Sequence, residues 1–437
     1  MFDFFKKKSQ DNSDSPAREE WATAKEQFDK KDFSNALGTL INGFRKDLYH
    51  KPLYELASNC IRQMGGAQEA ELFIKAANEL GPQTFTELGN HFYTVEHYPL
   101  TKIFLEEAFR STKDVELAHT LAIAYARRFD TKKAQNVLSE VRDKFDFWTF
   151  WFFVKMRILN NDRSQLYETI QELEAAIDVG SQDEKLKIPK QKVLELREAF
   201  SRLELLTQPE QKIRDWHFVQ YGSVILDFFY SEDNYVAGGR HVASWGNPES
   251  IVSILQRLHK LIDSRGLRKI IFGQDRDSKI LALAFSKLSG LPAESYTSET
   301  DCSNSLLFVA DSSAFSAFDK VEDITEGNIT FAFNQNWLKA NFICPDIIGL
   351  MSQMYGYPWS GGNIKMNEDG TSSRTEADTR SAEVIAEEIA ATEVKAPVEL
   401  DTFYRDVHKY LKMNQSAGHR YNFMIESPVP GAYFGSN

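Results

Sequence analysis

The side chains best placed for chemistry are Asp275, Asp277 and Ser278, which follow the run Ile270-Ile271-Phe272-Gly273 and open a segment of helical periodicity. A glycine turn leading from a strand into a helix can hold a phosphate, because backbone N–H groups and the positive end of the helix dipole meet there. Two carboxylates oppose an anion, and Asp277 or Ser278 serves equally as a helix N-cap. A second group, Asp311-Ser312-Ser313, ends the apolar run Ser305 to Ala310. A phosphate site therefore requires Gly273 to Ser278 to face Asp311 to Ser313.

Other residues of catalytic type fall into no pattern. The chain has no GxGxxG, P-loop, HExxH or GxSxG. His217, His241 and His259 lack the spacing of metal ligands, and Asp215-Trp216-His217 reads as the entry to a strand. Gly238-Gly239-Arg240-His241 suits either a close ligand approach or a β-bulge. The aromatic loop Tyr355 to Gly362 suits a packing cover or a recognition surface. Neither a cofactor nor a metal is implied, and no catalytic constellation is complete.

The run Ala282-Leu283-Ala284 to Leu288-Ser289-Gly290-Leu291-Pro292, followed by Leu306 to Ser313, resembles the phosphoribosyltransferase fold over roughly sixty residues. That family carries an acidic pair and a Thr-Gly phosphate loop where this chain has Asp311-Ser312-Ser313-Ala314-Phe315. The resemblance implies a related fold with its pyrophosphate chemistry lost. An enzyme or binding protein for a nucleotide or phosphorylated sugar is the corresponding functional expectation.

The elements that position these residues begin after a long helical region. From Ala17 to Gly180 the sequence reads as amphipathic helices of about fifteen residues, broken at Asp29-Lys30-Lys31-Asp32, Gly65-Gly66, Gly81-Pro82 and Phe129-Asp130. Ala36, Ala70, Thr101 and Ala134 recur at intervals of 34, 31 and 33, which is a repeat signature. Phe85, Leu88, Gly89 and Phe92, then Thr101, Leu105 and Ala108, make the clearest unit, and Leu121, Ala122, Tyr125, Ala134 and Leu138 make the next. In these residues the region resembles the tetratricopeptide-repeat family, with looser units before and a degenerate one over Phe147 to Asp178.

That resemblance implies a groove lined by the first helix of each pair and filled by another protein or peptide. Carried onto these positions, it places Asn59 and Asn90 at one groove-facing offset, Arg62 and Tyr93 three residues later, and His119 and Arg127 in the fourth unit. An Asn amide meets a peptide backbone donor and acceptor together and Arg meets a carboxylate, so an extended acidic or C-terminal peptide is the expected ligand. A solvated polar face is the competing reading.

The expected fold is thus multidomain: an all-α helical-repeat solenoid (17–180), a capping helix (181–207) and an α/β domain with a mixed, partly parallel sheet (208–362). A hairpin is expected from Val219 to Tyr230 and Tyr235 to Trp245, turning at 231–234. An acidic linker (363–396) with a short helix near Ala382 to Ala391 precedes a C-terminal helix and an extended tail that returns to the sheet (397–437). Autoinhibition by the linker and tail is a further expectation, drawn from their charge.

Composition bounds the partners. A net charge of −12 over 437 residues argues against general nucleic-acid binding. The apolar stretch Phe145 to Val154 is half of what a bilayer span needs, so it reads as a buried helix. Residues 1–16 read as a mobile leader, with weak membrane contact through Phe2, Phe4 and Phe5 as the alternative. Three scattered cysteines suit a reducing compartment, and a cytoplasmic adaptor or scaffold is the expectation as a whole.

Overall fold

The computed structural model describes residues 15–177, 183–228, 236–237, 239–319, 321, 325, 327–362, 364–366, 371–395, 398–413 and 419–431. Two compact units divide at Asn160 and Asn161. The sequence boundary at Gly180 lies later, because the expected fifth repeat is itself divided.

The first unit is a succession of helix pairs: α1 (Arg18–Asp29) with α2 (Phe33–Lys46), α3 (Lys51–Gln63) with α4 (Ala67–Asn78), α5 (Pro82–Thr94) with α6 (Tyr98–Thr112), and α7 (Val115–Ala126) with α8 (Thr131–Ser139), followed by α9 (Phe147–Leu159). Aspartates set several helix starts. The side chains of Asp32, Asp114, Asp130 and Asp146 each accept from a backbone N–H in the first turn of α2, α7, α8 and α9, satisfying donors that a helix start leaves orphaned.

The periodic small residues explain the pairing. Ala36, Ala70, Thr101 and Ala134 lie one on each second helix and are all 0% exposed. At Gly89 the close approach leaves no room for a side chain, since an added Cβ would stand 2.3 Å from Cδ2 of Leu105 across the α5/α6 contact. Between the pairs, large rings fill the space: Phe44, Tyr54, Phe73, Phe85, Phe92 and Phe104 form one aromatic core. The apolar stretch expected as a buried helix is buried only in part: in α9 Phe152, Phe153, Val154, Met156, Ile158 and Leu159 lie inside, while Trp148 is 42% exposed. Ser15, placed by the sequence in the leader, is buried and donates to Asp47 at 2.7 Å.

The second unit opens with α10 (Leu166–Ala175), α11 (Lys187–Leu205) and α12 (Ile213–Tyr221). The strands and helices that follow are β1 (Val224–Ile225), β2 (Val236–Ala237), β3 (Arg240–Trp245), α13 (Pro248–Ile262), β4 (Lys269–Phe272), α14 (Arg276–Ser289), β5 (Ala293–Ser295), β6 (Ser305–Asp311), β7 (Ile329–Gln335) and β8 (Ile347–Gly356). After them come the small pair β9 (Ile364–Met366) and β10 (Ser372–Arg374), then α15 (Ala382–Ala390) and α16 (Thr402–Val407). Among the described residues eight strands form one sheet in the order β2-β3-β8-β7-β6-β4-β5, with β1 also on β8, and every pairing in it is parallel except β2 with β3.

Three expectations are corrected here. Residues 213–221 are helical, where Asp215 to His217 was expected as a strand entry and Val219 onward as the strand: Gly222 at φ +64° caps the helix C-terminus through a bond from its N–H to Phe218 O, a stop signal hidden among the β-type residues. Among the described residues the two arms of the expected hairpin do not pair with each other, since Val224–Ile225 and Arg240–Trp245 each run parallel to β8; its turn at 231–234 lies outside the described residues. The short helix expected near Ala382 to Ala391 is present as α15, but it is no part of a free linker: its Ile385, Ala386 and Ile389 are buried in the core beside α13 and α14. Conversely, strand β8 was not anticipated, because its continuous apolar start lacks the alternation of a half-buried strand.

Alternation in β4, β6 and β7 separates two cores. Ile270, Phe272, Leu306, Phe308, Phe331 and Phe333 face the helices, while Ile271, Leu307, Val309 and Ala332 face Phe315, Phe318 and Ile343. The tail returns to the sheet region as expected: Asn341 and Phe423 form an antiparallel bridge, and Cys344 N donates to Tyr421 O at 2.5 Å.

Candidate functional sites

In the α/β unit, β4 is followed by β5 on one flank and β6 by β7 on the other, so the winding reverses between the neighbours β4 and β6. Ligands of open parallel sheets bind beyond the carboxyl ends of strands at such a reversal. Gly273 to Ser278 and Asp311 to Ser313 follow these two strands, and the structure does bring them together. Ser278 Oγ accepts from Ala310 N at 2.8 Å, while its own proton goes to Asp275 at 2.6 Å.

Each polar group in this frame has a partner within the protein. Asp275, rather than Asp277 or Ser278, caps α14 by accepting from Ser278 N at 2.8 Å. Asp277 accepts the indole N–H of Trp359 at 2.6 Å. Asp311 accepts from Ser313 Oγ at 2.6 Å and from Asn334 Nδ2 at 3.0 Å, and Ser312 Oγ accepts from Asn341 Nδ2 at 3.0 Å. The N–H of Gly273 is bonded to Phe308 O at 3.2 Å.

The aromatic loop acts as the cover. Tyr357 and Trp359 stack with centroids 4.8 Å apart, the Tyr357 hydroxyl donates to Ala310 O at 3.0 Å, and Trp359 is 2% exposed. Arg276 donates to the carbonyls of Asp378 and Arg380 at 2.5 and 3.0 Å, holding the following segment across the start of α14. Trp359→Phe is expected to lower the unfolding free energy by about 1.5–3 kcal/mol, because Asp277 loses a hydrogen bond while the packing is largely kept. Guanidinium titration measures it, and a change below about 0.5 kcal/mol would show the N–H to be dispensable.

His217 is buried, with Nε2 3.7 Å from Cys344 Sγ; burial pushes its pKa down to about 3 and the thiol's up. Such a neutral pair is inert packing. Among the described residues no group of three or more His, Cys, Asp or Glu is placed to hold a metal.

In the helical unit the residues assigned to the groove separate in character. Asn59 and Asn90 are exposed on α3 and α5, and no hydrogen bond joins them. Arg62 is drawn to Glu71 at 2.9 Å and Tyr93 lies against Tyr98. His119 is turned toward α9, 3.0 Å from Thr149 Oγ1 and stacked on Phe152, and burial lowers its pKa, so it packs within the stack. Arg127 stands half-buried at the C-cap of α7.

A cleft of about 630 Å³ opens elsewhere in this unit, along α6 and the end of α2 rather than along the first helices. Its apolar floor includes Phe44, Leu48, Tyr49, Pro99 and Ile103, and its cations are Arg45, Lys46, Lys102, Arg110 and Arg128. Sequence reasoning missed it because α2 and α6 belong to different repeats and are brought together by tertiary contacts such as Phe44 with Phe104, whose centroids are 5.5 Å apart.

The fold thus defines a protein of stacked helix pairs followed by a mostly parallel α/β unit whose switch point is filled by its own aromatic loop. No family model and no curated protein matches the sequence. No helix among the described residues is long and apolar enough to cross a membrane.

Proposed function

We propose that this chain is a protein-interaction adaptor or scaffold in which the helical unit holds a partner segment. The observation that carries this reading is the open cleft of the helical unit. The polar frame at the sheet reversal, by contrast, is already engaged by Trp359, Ala310 and Asn334. Stacked helix pairs suit the role because each pair repeats a surface and leaves a continuous face for an extended ligand. The resemblance to tetratricopeptide repeats supports it, with Asn59 and Asn90 as exposed polar positions on the first helices.

Affinity capture from a native extract by the full chain, with proximity cross-linking, tests the proposal. Specific proteins cross-linked to residues 15–160 are expected. A folded chain that yields no specific cross-links in that range would overturn it. The second reading, a ligand-binding α/β protein, is favoured by the strand reversal between β4 and β6 alone. It expects a thermal shift with nucleoside phosphates or sugar phosphates that grows in Trp359→Ala, and no shift in either protein would remove it.

A further inference from the structure

The four helix pairs of the first unit turn in the same way. The residue before the cap of each second helix has a positive φ: Lys31 (62°), Gly65 (91°), Glu96 (58°) and Phe129 (63°). The caps that follow, Asp32, Gly66, His97 and Asp130, share one backbone geometry, with φ between −85° and −93° and ψ between 61° and 68°. The turn is therefore a repeated frame in which only the side-chain chemistry changes. Asp32 and Asp130 accept as carboxylates from Asn35 N at 3.4 Å and Lys133 N at 3.1 Å, and Gly66 offers no side-chain acceptor. His97 accepts from Leu100 N through Nδ1 at 3.3 Å, and the same N–H also meets His97 O at 3.1 Å. Of these four caps only the imidazole exchanges a proton near neutral pH.

The acceptor exists only in the neutral ring. A proton on Nδ1 turns it into a second donor facing Leu100 N–H, and sets a positive charge at the positive end of the α6 dipole. Burial, the largest influence on the ring, holds its pKa below the ordinary 6.5, and the charge of Arg128, just after α7, acts in the same direction. The backbone of His97 itself and the carboxylate of Glu69 on α4 oppose them. His91 of α5 stands 3.9 Å from that same Glu69, and Phe92 of α5 meets the His97 ring edge-on with centroids 5.7 Å apart. The capped turn also forms a wall of the cleft, since Pro99 lies in it and Lys102 and Ile103 follow on α6.

We propose that His97 is a pH-sensitive cap: proton uptake at Nδ1 removes the acceptor, loosens the first turn of α6 and releases Pro99 from the wall of the cleft. The folded form takes up the proton less readily than the unfolded chain, so stability is complete above the ordinary histidine range and declines as pH falls through it. The device operates whatever the cleft holds.

Hydrogen exchange of the full chain over residues 98–103 tests this, at about pH 7.5 and about pH 5, corrected for the intrinsic pH dependence of exchange. Protection is expected to fall roughly fivefold to tenfold at the lower pH, as for the loss of one cap, while residues 131–136, behind the Asp130 carboxylate, keep theirs. His97→Asn retains a capping acceptor that takes up no proton, so its protection should stay high at both values. His97→Ala should be low at both. A pH-dependent loss that survives in His97→Asn places the titration in another group, such as His91, and overturns the proposal. Undiminished protection of the unaltered chain at the lower pH, or an equal loss over residues 131–136, overturns it as well.

Discussion

Arg420→Met is expected to lower the unfolding free energy of the α/β unit by about 3–5 kcal/mol, one of the two largest single-residue effects foreseen for this chain. Arg420 is 3% exposed, and its guanidinium reaches Asp346 at 2.8 Å, Asn328 Oδ1 at 2.5 Å and Val321 O at 3.1 Å. Asp346 also accepts from Thr330 N at 2.8 Å and Thr330 Oγ1 at 2.9 Å. Methionine fills similar volume, so the loss arises mainly from leaving a carboxylate buried without its counter-charge. The double variant Asp346→Asn/Arg420→Met removes both charges and should recover much of that loss. Guanidinium titration of the set is the measurement. A single-variant loss below about 1 kcal/mol would mean that water reaches Asp346 once the arginine is gone.

The same contact fixes the C-terminal tail. Residues 419–431 run beside Asn341, Cys344 and Tyr221 through backbone bonds and the Tyr221 hydroxyl, and Arg420 is their charged anchor. Hydrogen exchange of this segment should therefore quicken in Arg420→Met before the sheet itself is affected.

Phe104→Ala is expected to cost a comparable 3–5 kcal/mol in the helical unit. Phe104 is 0% exposed and meets Phe44, Tyr54, Phe73, Phe85 and Phe92 with centroids 5.5, 6.2, 6.4, 6.3 and 6.0 Å away. Rings from α2 to α6 thus converge on one side chain, and its truncation opens a cavity that none of these helices can close alone. The loss combines transfer and cavity terms, plus edge and stacking contacts among the rings. Region-resolved hydrogen exchange checks it: protection should fall across α2 to α6 together. Loss confined to α6 would show that the aromatic cluster does not couple the pairs. The variant also removes the ring against which the cleft residue Phe44 rests.

Much of the architecture was legible locally. The spacing of Ala36, Ala70, Thr101 and Ala134 announced a helix-pair repeat because helix packing at close range admits only small side chains at the crossing. Helix α14 and strands β4, β6 and β7 were visible as alternating elements, and the loop after β4 as a strand-to-helix turn, although its capping carboxylate is Asp275 and not Asp277. Residues 213–221 and β8 were misread or missed for a shared reason. In residues 215–219 and the first six residues of β8, successive side chains are buried whichever way they face, so the residue types carry little periodicity to separate helix from strand.

The sequence by itself determined the two-part division, the period of the helical half, and the alternation that builds a parallel sheet, because each follows from spacing along the chain. Only the tertiary structure decided that the winding reverses between β4 and β6, that Trp359 occupies the resulting crevice, and that Arg420 finds Asp346. It also decided where the helical unit opens, by bringing α2 and α6 together across the intervening pair. These contacts join residues far apart in the chain, and their formation is settled by whole-core packing and by the need of every buried polar group for a partner.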